Sequence, residues 1–379
     1  MSDDVVVIGG GAIGCAAALS LARRGMRVRV LERAHPGAEA SSAAAGILGA
    51  YAEAHDTGPL TRLFFASLAM YPAWTAGLTE ATGIDTGYRP SGSMRAYLDA
   101  AAFERAAKES AAAFGEAARA IDGGEARGME PALSEAIAGA VLFPADCRID
   151  PPALLRAIEG AARRARVTFD PPAEVTGLRI EGDRAVGAVL ASGEEVRAGA
   201  VVLAAGAWSL LPGCGLSEKV IEPVRGQMME LRAIATAGDG ERRLLDRVVF
   251  GPDAYLSPRD DGRILVGATV ERAGFRKAVT ARGIHGLLGG AMALVPALAE
   301  AEIARTWAGL RPATPDGAPL IGRGHVRGLV VAAGHFRNGI LLSPLTGELV
   351  AELVLGEEPR VDLSPFAVDR FAREMSPAS

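Results

Sequence analysis

The sequence predicts an α/β protein in which a domain that begins with a βαβ unit is interleaved with an α+β domain built on an antiparallel sheet. The N-terminal segment DVVVIGGGAIGCAAALSLARRGMRVRVLER has the pattern of a strand, a tight turn, a helix and a second strand. From Val220 onwards apolar and polar residues alternate, which is typical of antiparallel strands. Near the C-terminus, TWAGLRPATPDGAPLIGR and GLVVAAG return to compact strands and loops, so the chain comes back to its first domain.

The elements between these regions follow from local composition. Ala-rich segments with scattered Leu and Phe predict helices over 54–82 and 102–120, and a further helix is predicted over 283–304. The two prolines after Asp150 predict the start of another helix. Turns at EGD and ASGEE separate short strands that end in VVLAAG, and the DDG triplet between AYLSPR and RILVGAT predicts a hairpin.

Composition excludes several classes of protein. A chain of 379 residues, with 49% hydrophobic and 22% charged residues, is long enough for two domains and a large core. The net charge of −5, with acidic and basic residues interleaved, leaves no basic stripe for nucleic acid. Three cysteines and five scattered histidines lack the spacing of metal ligands, and the odd number of cysteines argues against a secreted disulfide framework. We therefore expect no metal site.

An apolar run of 18 residues from Val5 has the length of a signal sequence or membrane anchor. Asp3 and Asp4 precede it, where a signal peptide carries positive charge, and three consecutive glycines weaken a spanning helix. We expect a cytoplasmic protein with no obvious membrane segment.

Three glycines in the first turn have the spacing of a dinucleotide-binding fingerprint. Gly9 permits the tight turn, Gly11 lets a pyrophosphate approach the backbone, and Gly14 lets the helix pack close to the strand. The helix N-terminus then favours the negative phosphates. Glu32 ends the second strand, 18 residues after Gly14, where its carboxylate can accept from ribose hydroxyls. A glycine-rich turn without a nucleotide is the alternative, and the complete βαβ unit with its acidic residue argues against it.

The fingerprint fits NAD or FAD, and three features favour FAD. A single fingerprint leaves a second nucleotide without an obvious site. The small residues from Ser41 to Gly46 let the backbone approach a flat ligand, although a flexible surface loop has the same composition. The segment GHFRNGILL has the pattern of a second helix N-terminus that points at a ligand.

Seven segments follow one another along the chain: the fingerprint with Glu32, SSAAAGIL, VVLAAGAWS, PVRGQMMEL, AYLSPRDDGRILVGAT, WAGLRPATPDGAPLIG and AAGHFRNGILLSP. Together they resemble the D-amino-acid oxidase family of FAD-dependent amine oxidases, in its glycine oxidase branch, over nearly the whole chain. The resemblance implies a Rossmann-like FAD-binding domain over 1–82, 145–215 and 305–379, interleaved with an antiparallel-sheet substrate-binding domain over 83–144 and 216–304.

Members of this family oxidise the α-carbon of a small amino acid. The resemblance implies glycine, sarcosine, D-alanine or D-proline as the substrate, hydride transfer to the flavin N5, dioxygen as the acceptor, and an imine and hydrogen peroxide as products. Iminoglycine for thiamine synthesis is one use of that imine. Non-covalent FAD is implied because no cysteine follows Cys214, and a homo-oligomer is implied by relatives that assemble.

Three side chains are implied to hold the substrate. Arg311, in GLRP, suits a carboxylate because a planar guanidinium donates two parallel hydrogen bonds. Tyr255 on the hairpin strand is the second carboxylate ligand, and Arg337, in HFRNG, lies close to substrate and flavin. Two alternatives stay open, namely a tyrosine packed in the core for Tyr255 and a salt bridge with Glu53 for Arg337.

The implied FAD contacts come from all of these segments. They are Gly9, Gly11, Ala12, Ile13, Gly14, Glu32, Arg33, Ser41, Ser42, Ala45, Gly46, Ile47, Val175, Ala205, Gly206, Trp208, Arg311, Gly334, His335, Arg337, Asn338, Gly339, Ile340 and Leu341. In this interpretation Gly334 to Asn338 form the turn into a helix whose N–H groups stabilise negative charge on the reduced flavin. Arg337 is tolerated in apolar surroundings because an anionic substrate pairs with it.

The chain departs from the family pattern at Val270, Asp253 and Tyr51, which leaves the preferred substrate side chain and the access of dioxygen open. Two other functions also stay open: an FAD-dependent D-amino-acid dehydrogenase with a quinone-type acceptor, and a non-catalytic flavin-binding protein. The presence of both arginines and the tyrosine argues against the second, because a binding protein has no use for an empty carboxylate site.

Overall fold

The computed structural model of the protein describes residues 3–54, 56–232 and 243–371. Its α-helices are α1 (Ala12–Arg23), α2 (Ala40–Ala43), α3 (Pro59–Thr82), α4 (Ala100–Phe114), α5 (Gly123–Met129), α6 (Pro151–Arg164), α7 (Ala281–Leu294) and α8 (Ser343–Leu355). Short 3-10 helices occupy Gly115–Ala117, Gly206–Trp208, Pro296–Glu300 and Ser364–Phe366. None of the helices in the described ranges is both long and apolar enough to span a membrane.

The strands of the described residues fall into two large sheets and one small one. In chain order they are β1 (Asp3–Ile8), β2 (Val28–Leu31), β3 (Ile47–Leu48), β4 (Ser93–Tyr97), β5 (Arg119–Asp122), β6 (Gly139–Phe143), β7 (Cys147–Arg148), β8 (Thr168–Asp170), β9 (Val175–Glu181), β10 (Arg184–Leu190), β11 (Glu195–Leu203), β12 (Glu222–Arg232), β13 (Val248–Phe250), β14 (Tyr255–Pro258), β15 (Arg263–Gly267), β16 (Glu302–Ala313), β17 (Leu320–Arg323) and β18 (Leu329–Ala333). The third sheet contains only β3 and β7.

The first sheet is mostly parallel, in the order β17-β18-β11-β1-β2-β8. Strands β18, β11, β1, β2 and β8 run parallel, while β17 pairs antiparallel with β18, and β9 and β10 extend from β11 as an antiparallel meander. Helix α1 packs against α6 and α8. Val5, Val6 and Val7 of β1 are completely buried, as expected for the near-continuous apolar strands of a parallel sheet that is covered on both faces.

The second sheet has the order β16-β12-β15-β14-β13-β4-β6-β5, and all its pairs are antiparallel except β13 with β4. Alternate residues of β12 face opposite sides, because side chains in a strand have a period of two. Met229 and Leu231 pack in one core cluster with Leu287 of α7. Met228, on the other face, packs with Ala45 from the first part of the chain. The second face of this sheet therefore closes over residues that precede α3.

The α/β fold predicted from the sequence is confirmed, and several predicted elements have shifted ends. The predicted hairpin is present, since β14 and β15 pair antiparallel, and α6 begins at the predicted prolines. The helix predicted over 102–120 ends at Phe114, because Gly115 adopts a positive φ of 55° and the chain then enters β5. The helix predicted over 283–304 ends at Leu294, because Pro296 cannot continue it and β16 starts at Glu302. The helix predicted to start at residue 54 begins at Pro59.

The division into two domains remains a prediction, and one of its limits conflicts with the sheet pairing. The last FAD-binding segment was expected to start at residue 305, which lies inside β16. This strand pairs along its whole length with β12 of the second sheet. We propose that the segment starts after Ala313, where β16 ends.

Replacing Leu154 with Ala tests the packing of the first core. Leu154 lies on α6 with no exposed surface, so Leu154→Ala should lower the free energy of unfolding by about 2–5 kcal/mol through lost burial and the cavity it leaves. The exposed Arg156 on the same helix gives the matched control Arg156→Ala, for which we expect a change within about 0.5 kcal/mol. Urea unfolding followed by circular dichroism measures both. Equal midpoints for the two variants would contradict the assigned face of α6.

Candidate active site

A cavity of about 720 Å³ lies where the carboxyl ends of the parallel strands meet the second sheet. Ile8, Leu31 and Ala204 line it from the first sheet, and Met228 and Tyr255 line it from the second. Ligands of open α/β sheets bind at the carboxyl ends of the strands, where the loops leave a crevice. This cavity is therefore the first candidate for the cofactor site.

Two of the fingerprint glycines permit close approach of the backbone at one end of the cavity. Gly9 has a φ of 104°, and a Cβ built there would lie 2.5 Å from the carbonyl oxygen of Ala204. A Cβ on Gly14 would overlap the carbonyl oxygen of Gly9. A larger side chain at Gly14 would push α1 away from the turn and β1, and one at Gly9 would push the turn away from the segment after β11.

Side chains around the start of α1 prepare an anion site next to a ribose site. Gly11 is the N-cap of α1 and supplies no side chain to cap it, and no acidic residue lies in its first turn. Ser41 Oγ accepts a hydrogen bond from the Ala12 amide at 3.0 Å. The Glu32 carboxylate accepts from the amides of Gly10 at 2.7 Å and Ala34 at 2.9 Å, which fixes it at the end of β2. Each of its oxygens keeps a lone pair for a hydroxyl group.

A stack of charged and aromatic groups lies at another part of the cavity wall. The Arg33 guanidinium carbon lies 3.7 Å from the centre of the Trp208 ring, whose other contact is the Phe275 ring at 5.3 Å between centroids. Glu39 accepts from both Arg33 at 2.5 Å and Lys277 at 2.9 Å. These contacts tie residues 275–277, which follow β15, to the loop after β2.

Arg311 and Tyr255 are brought together by the second sheet. Arg311 is on β16 and donates from Nη1 to the carbonyl oxygen of Thr269 at 2.9 Å. Glycines leave the room that both side chains occupy, since a Cβ on Gly226 would overlap the Arg311 guanidinium and one on Gly267 would overlap the Tyr255 hydroxyl. The Tyr255 hydroxyl donates to Met228 Sδ at 3.1 Å, a weak acceptor that a carboxylate oxygen could displace.

Burial shifts the pKa values of this pair in opposite directions. Removal from water lowers the pKa of Arg311, and the nearby Tyr255 opposes that shift. Burial raises the pKa of Tyr255, so its hydroxyl stays protonated. Among the described residues, no carboxylate lies within 4.0 Å of the Arg311 guanidinium. The site thus presents a cation and a hydroxyl donor with no acidic partner, which is an arrangement that favours an anionic ligand.

The structure changes the interpretation of Arg337. Its side chain is 37% exposed, and its Nε lies 3.2 Å from Glu53 Oε2. Glu53 is also the main reason that the pKa of Arg337 is raised. The expectation of apolar surroundings with the substrate as the partner is therefore wrong, and the internal salt bridge is present. Arg337 still borders the cavity beside Arg311.

His335 is buried and neutral. Its Nε2 lies 3.2 Å from Thr346 Oγ1 of α8, and burial lowers its pKa to about 3. The helix expected directly after Asn338 begins only at Ser343. The Asn338 amide donates to the carbonyl of His335, and the Leu342 amide donates to that of Asn338, so a turn separates this segment from α8. The amides that border the cavity at Gly339 and Ile340 belong to that turn.

Most of the predicted cofactor contacts border the 720 Å³ cavity. Four do not. Gly14 is packed under the fingerprint turn, Ser42 is exposed, Leu341 lies in the hydrophobic core, and Asn338 faces a second cavity.

Sequence reasoning missed several residues that line the main cavity. The run of small residues after Glu39 could have indicated the first of them, because every member of such a run allows close approach. No local signal marks the others, which arrive through strand pairing or loop folding. The missed residues include Ala40, Glu53, Thr176, Gly226, Met228 and Phe275, whereas Ala43, Ala44 and Phe336 lie inside segments that the sequence already assigned to the ligand site.

A second cavity of about 850 Å³ adjoins the first, and Glu53, Tyr255, Arg311, Phe336 and Arg337 line both. The three side chains that the sequence analysis expects to hold the substrate thus lie where the two cavities meet. The remaining wall of the second cavity comes from α3, β4, the start of α4 and the turn after β13.

The three departures from the family pattern lie in different surroundings. Asp253 lines the second cavity. Val270 is 56% exposed. Tyr51, expected on the pocket side, instead packs in an aromatic cluster, with its ring 4.4 Å from that of Phe65. Only Asp253 is therefore placed to affect the substrate directly.

Comparison with known proteins agrees with this architecture. Residues 4–353 match the FAD dependent oxidoreductase (DAO) family. A glycine oxidase of Geobacillus kaustophilus is 40% identical over 379 aligned residues, which cover 97% of each chain. The crystal structure of glycine oxidase from Geobacillus kaustophilus has a TM-score of 0.90 at 40% identity, covering 97% of this chain and 99% of that one. The bifunctional protein ThiO/ThiG of Trichormus variabilis is 36% identical over 99% of this chain, which spans 56% of that longer protein.

The family match includes both sheets and every segment that lines the main cavity. The glycines, the fixed Glu32 carboxylate and the start of α1, whose N-cap Gly11 has no side chain, supply the features that a dinucleotide requires. The chain belongs to the FAD-dependent oxidoreductase family.

Proposed function

We propose that the protein oxidises glycine or a similarly small amino acid, such as sarcosine, D-alanine or D-proline, with bound FAD as the electron acceptor and dioxygen as the final one. The observation that carries this proposal is Arg311 beside Tyr255, with no carboxylate within 4.0 Å of the guanidinium among the described residues. A buried guanidinium without an acidic partner is most stable when an anionic ligand pairs with it. The α-carboxylate that all of these substrates share is such a ligand.

FAD fits the first cavity, the one of about 720 Å³ at the carboxyl ends of the parallel strands. Its phosphates would face the amides at the start of α1, its ribose the Glu32 carboxylate, and its ring system the end that Arg311, Gly339 and Ile340 line. None of the three cysteines lines this cavity, and all three are buried. We therefore propose that FAD is held without a covalent bond.

When bound, FAD accepts a hydride from the α-carbon of the substrate. Arg311 would donate two parallel hydrogen bonds to the substrate carboxylate, and Tyr255 would donate a third. These bonds fix the carboxylate, so they also fix the direction of the Cα–H bond. The substrate amine must be neutral, and the side chains near it need not remove a proton from carbon. His335, buried and neutral, adds no charge to the wall that it lines.

The relatives support glycine as the first substrate to test. The glycine oxidase of Geobacillus kaustophilus is similar both in sequence and in its crystal structure, and the other relative described above is the bifunctional ThiO/ThiG protein. Iminoglycine for thiamine synthesis is accordingly the use of the product that we propose. A cytoplasmic location and a homo-oligomer stay predictions of the sequence.

Anaerobic reduction tests the function as a whole. Purified holoprotein is mixed with glycine, sarcosine or D-alanine without oxygen, and the visible absorbance of the flavin is followed before air is admitted. We expect loss of the flavin band, followed by fast recovery and formation of hydrogen peroxide in air. Slow recovery in air would favour the dehydrogenase with another acceptor. A flavin that no small amino acid reduces would contradict the proposal.

Arg311→Ala tests the carboxylate site. Loss of one partner of a buried, hydrogen-bonded charge pair costs about 2–5 kcal/mol, so kcat/KM for glycine should fall by about 30- to 5000-fold. The control is Arg282→Ala, since Arg282 is exposed on α7, and its kcat/KM should stay within about threefold. The FAD content of each variant is measured beside the kinetics. A loss below threefold in Arg311→Ala with FAD still bound would remove Arg311 from the role we give it.

The pH profile should report the substrate amine and not a side chain of the site. The pKa of His335 is lowered to about 3, so the ring is neutral at every pH above that value. The pKa of Tyr255 is raised, so its hydroxyl stays protonated beyond its ordinary range. We expect kcat/KM for glycine to rise about tenfold per pH unit below the pKa of the amine. The same limb should be present in Tyr255→Phe. A limb that shifts or vanishes in this variant would mean that Tyr255 ionises during the reaction.

A further inference from the structure

One row of side chains runs across the floor of the second cavity. In the register of the sheet, Gly267 lies opposite Tyr255, Tyr255 opposite Phe250, and Phe250 opposite Arg95. Residues directly opposite one another in a sheet point to the same face. Neighbouring strands lie about 4.8 Å apart, so the Cα atom of Arg95 is about 10 Å from that of Tyr255. All four residues line the second cavity.

Phe250 separates the two polar ends of this row. Its ring packs edge-on against the Tyr255 ring, with 6.1 Å between centroids. Along the floor, the Tyr255 hydroxyl, the apolar Phe250 ring and the Arg95 guanidinium therefore follow one another in that order. A ligand that binds the Arg311 and Tyr255 end with its α-carboxylate would lay its next carbon atoms on Phe250 and direct the following group at Arg95.

Arg95 has no acidic partner among the described residues. Its side chain is half-buried, and its Nη2 donates to the carbonyl oxygen of Ala52. Four acidic residues of the same cavity are engaged elsewhere. Glu53 pairs with Arg337, Asp316 pairs with Arg370, Asp56 accepts from the Gly58 amide at 2.8 Å, and Asp99 accepts from the Ala102 amide at 2.7 Å.

The fifth acidic residue of this cavity, Asp253, is exposed on the turn after β13. Among the described residues, Arg95 and Arg311 are consequently the two arginines lining these cavities that have no carboxylate within 4.0 Å. A guanidinium with free N–H groups in a half-buried wall favours a carboxylate, because the planar fork matches its two oxygens.

We propose that Arg95 binds a second acid group of the substrate, so that the best substrates are small amino acids with one carboxylate in addition to the α-carboxylate. This inference rests on the proposed function, since it takes the α-carboxylate at Arg311 as its starting point. The second acid group is carried either by a substituent on the nitrogen or by the side chain of a D-amino acid. Both chemistries end in the same carboxylate, and the two differ in the atom to which it is attached.

Isosteric acid and amide pairs test the proposal on the holoenzyme. N-(Carboxymethyl)glycine is compared with its monoamide, and D-aspartate with D-asparagine, by kcat/KM from anaerobic flavin reduction. We expect the acid of at least one pair to exceed its amide by about tenfold or more, and the pair that does so identifies where the acid is attached. Arg95→Met should bring that ratio close to one, and Arg95→Lys should retain part of it. Arg105→Met, which removes an exposed arginine from α4, should keep the wild-type ratio.

The acid-to-amide ratio cancels any general loss of activity or flavin in a variant, since both substrates meet the same enzyme. A wild-type ratio of one for both pairs would overturn the role of Arg95 even if no variant folds. A ratio that survives unchanged in Arg95→Met would overturn it as well. If glycine reduces the flavin and both ratios are one, only this inference fails. If no amino acid reduces the flavin, the proposed function itself fails.

Discussion

A guanidinium without an acidic partner is the constraint on which the site depends. Burying a cation is unfavourable unless hydrogen bonds or an anion compensate it. Around Arg311 the compensation within the chain is partial: one backbone carbonyl at 2.9 Å and a nearby tyrosine hydroxyl. The fold tolerates this because β16 and β12 hold the strand in register and Gly226 leaves space for the side chain. In the proposed function, the substrate carboxylate would supply the remaining stabilisation.

The two halves of the site are built in different ways. The proposed phosphate and ribose end of the cofactor site depends on residues that are close in sequence, since the turn between β1 and α1 contains the fingerprint glycines and Glu32 follows β2 directly. The substrate half depends on pairing across the second sheet. Tyr255 and Arg311 are 56 residues apart in the chain, and they meet only because both strands belong to one sheet whose inner face closes over the loop before α3.

The loop that carries Glu53 places its carboxylate beside Arg337, and both residues line both cavities. Asp146, which is completely buried, accepts from the amides of Tyr51 and Ala52 and from the Ser93 hydroxyl, and burial raises its pKa to about 6. These bonds hold the loop against β4, so Glu53 is positioned to pair with Arg337. Of the two arginines that line both cavities, Arg337 is thereby neutralised within the protein, while Arg311 is not. This difference, and not the number of arginines, decides which side chain is available to a carboxylate.

The sequence by itself determined the α/β fold, the fingerprint turn and the hairpin that carries Tyr255, and it proposed Arg311 and Tyr255 as the carboxylate-binding pair. Those features follow from local spacing, from glycine stereochemistry and from the resemblance of ordered segments. Only the tertiary structure decided that Arg337 pairs with Glu53, that α8 starts at Ser343 after an extra turn, and that Tyr51 lies in an aromatic cluster. It also decided that Arg95 shares a row with Tyr255, because strand register and the partners of a charged side chain depend on residues far away in the chain. The local sequence pattern indicates which secondary structure a segment can form. Pairing between distant segments determines which of its charged side chains remain available to a ligand.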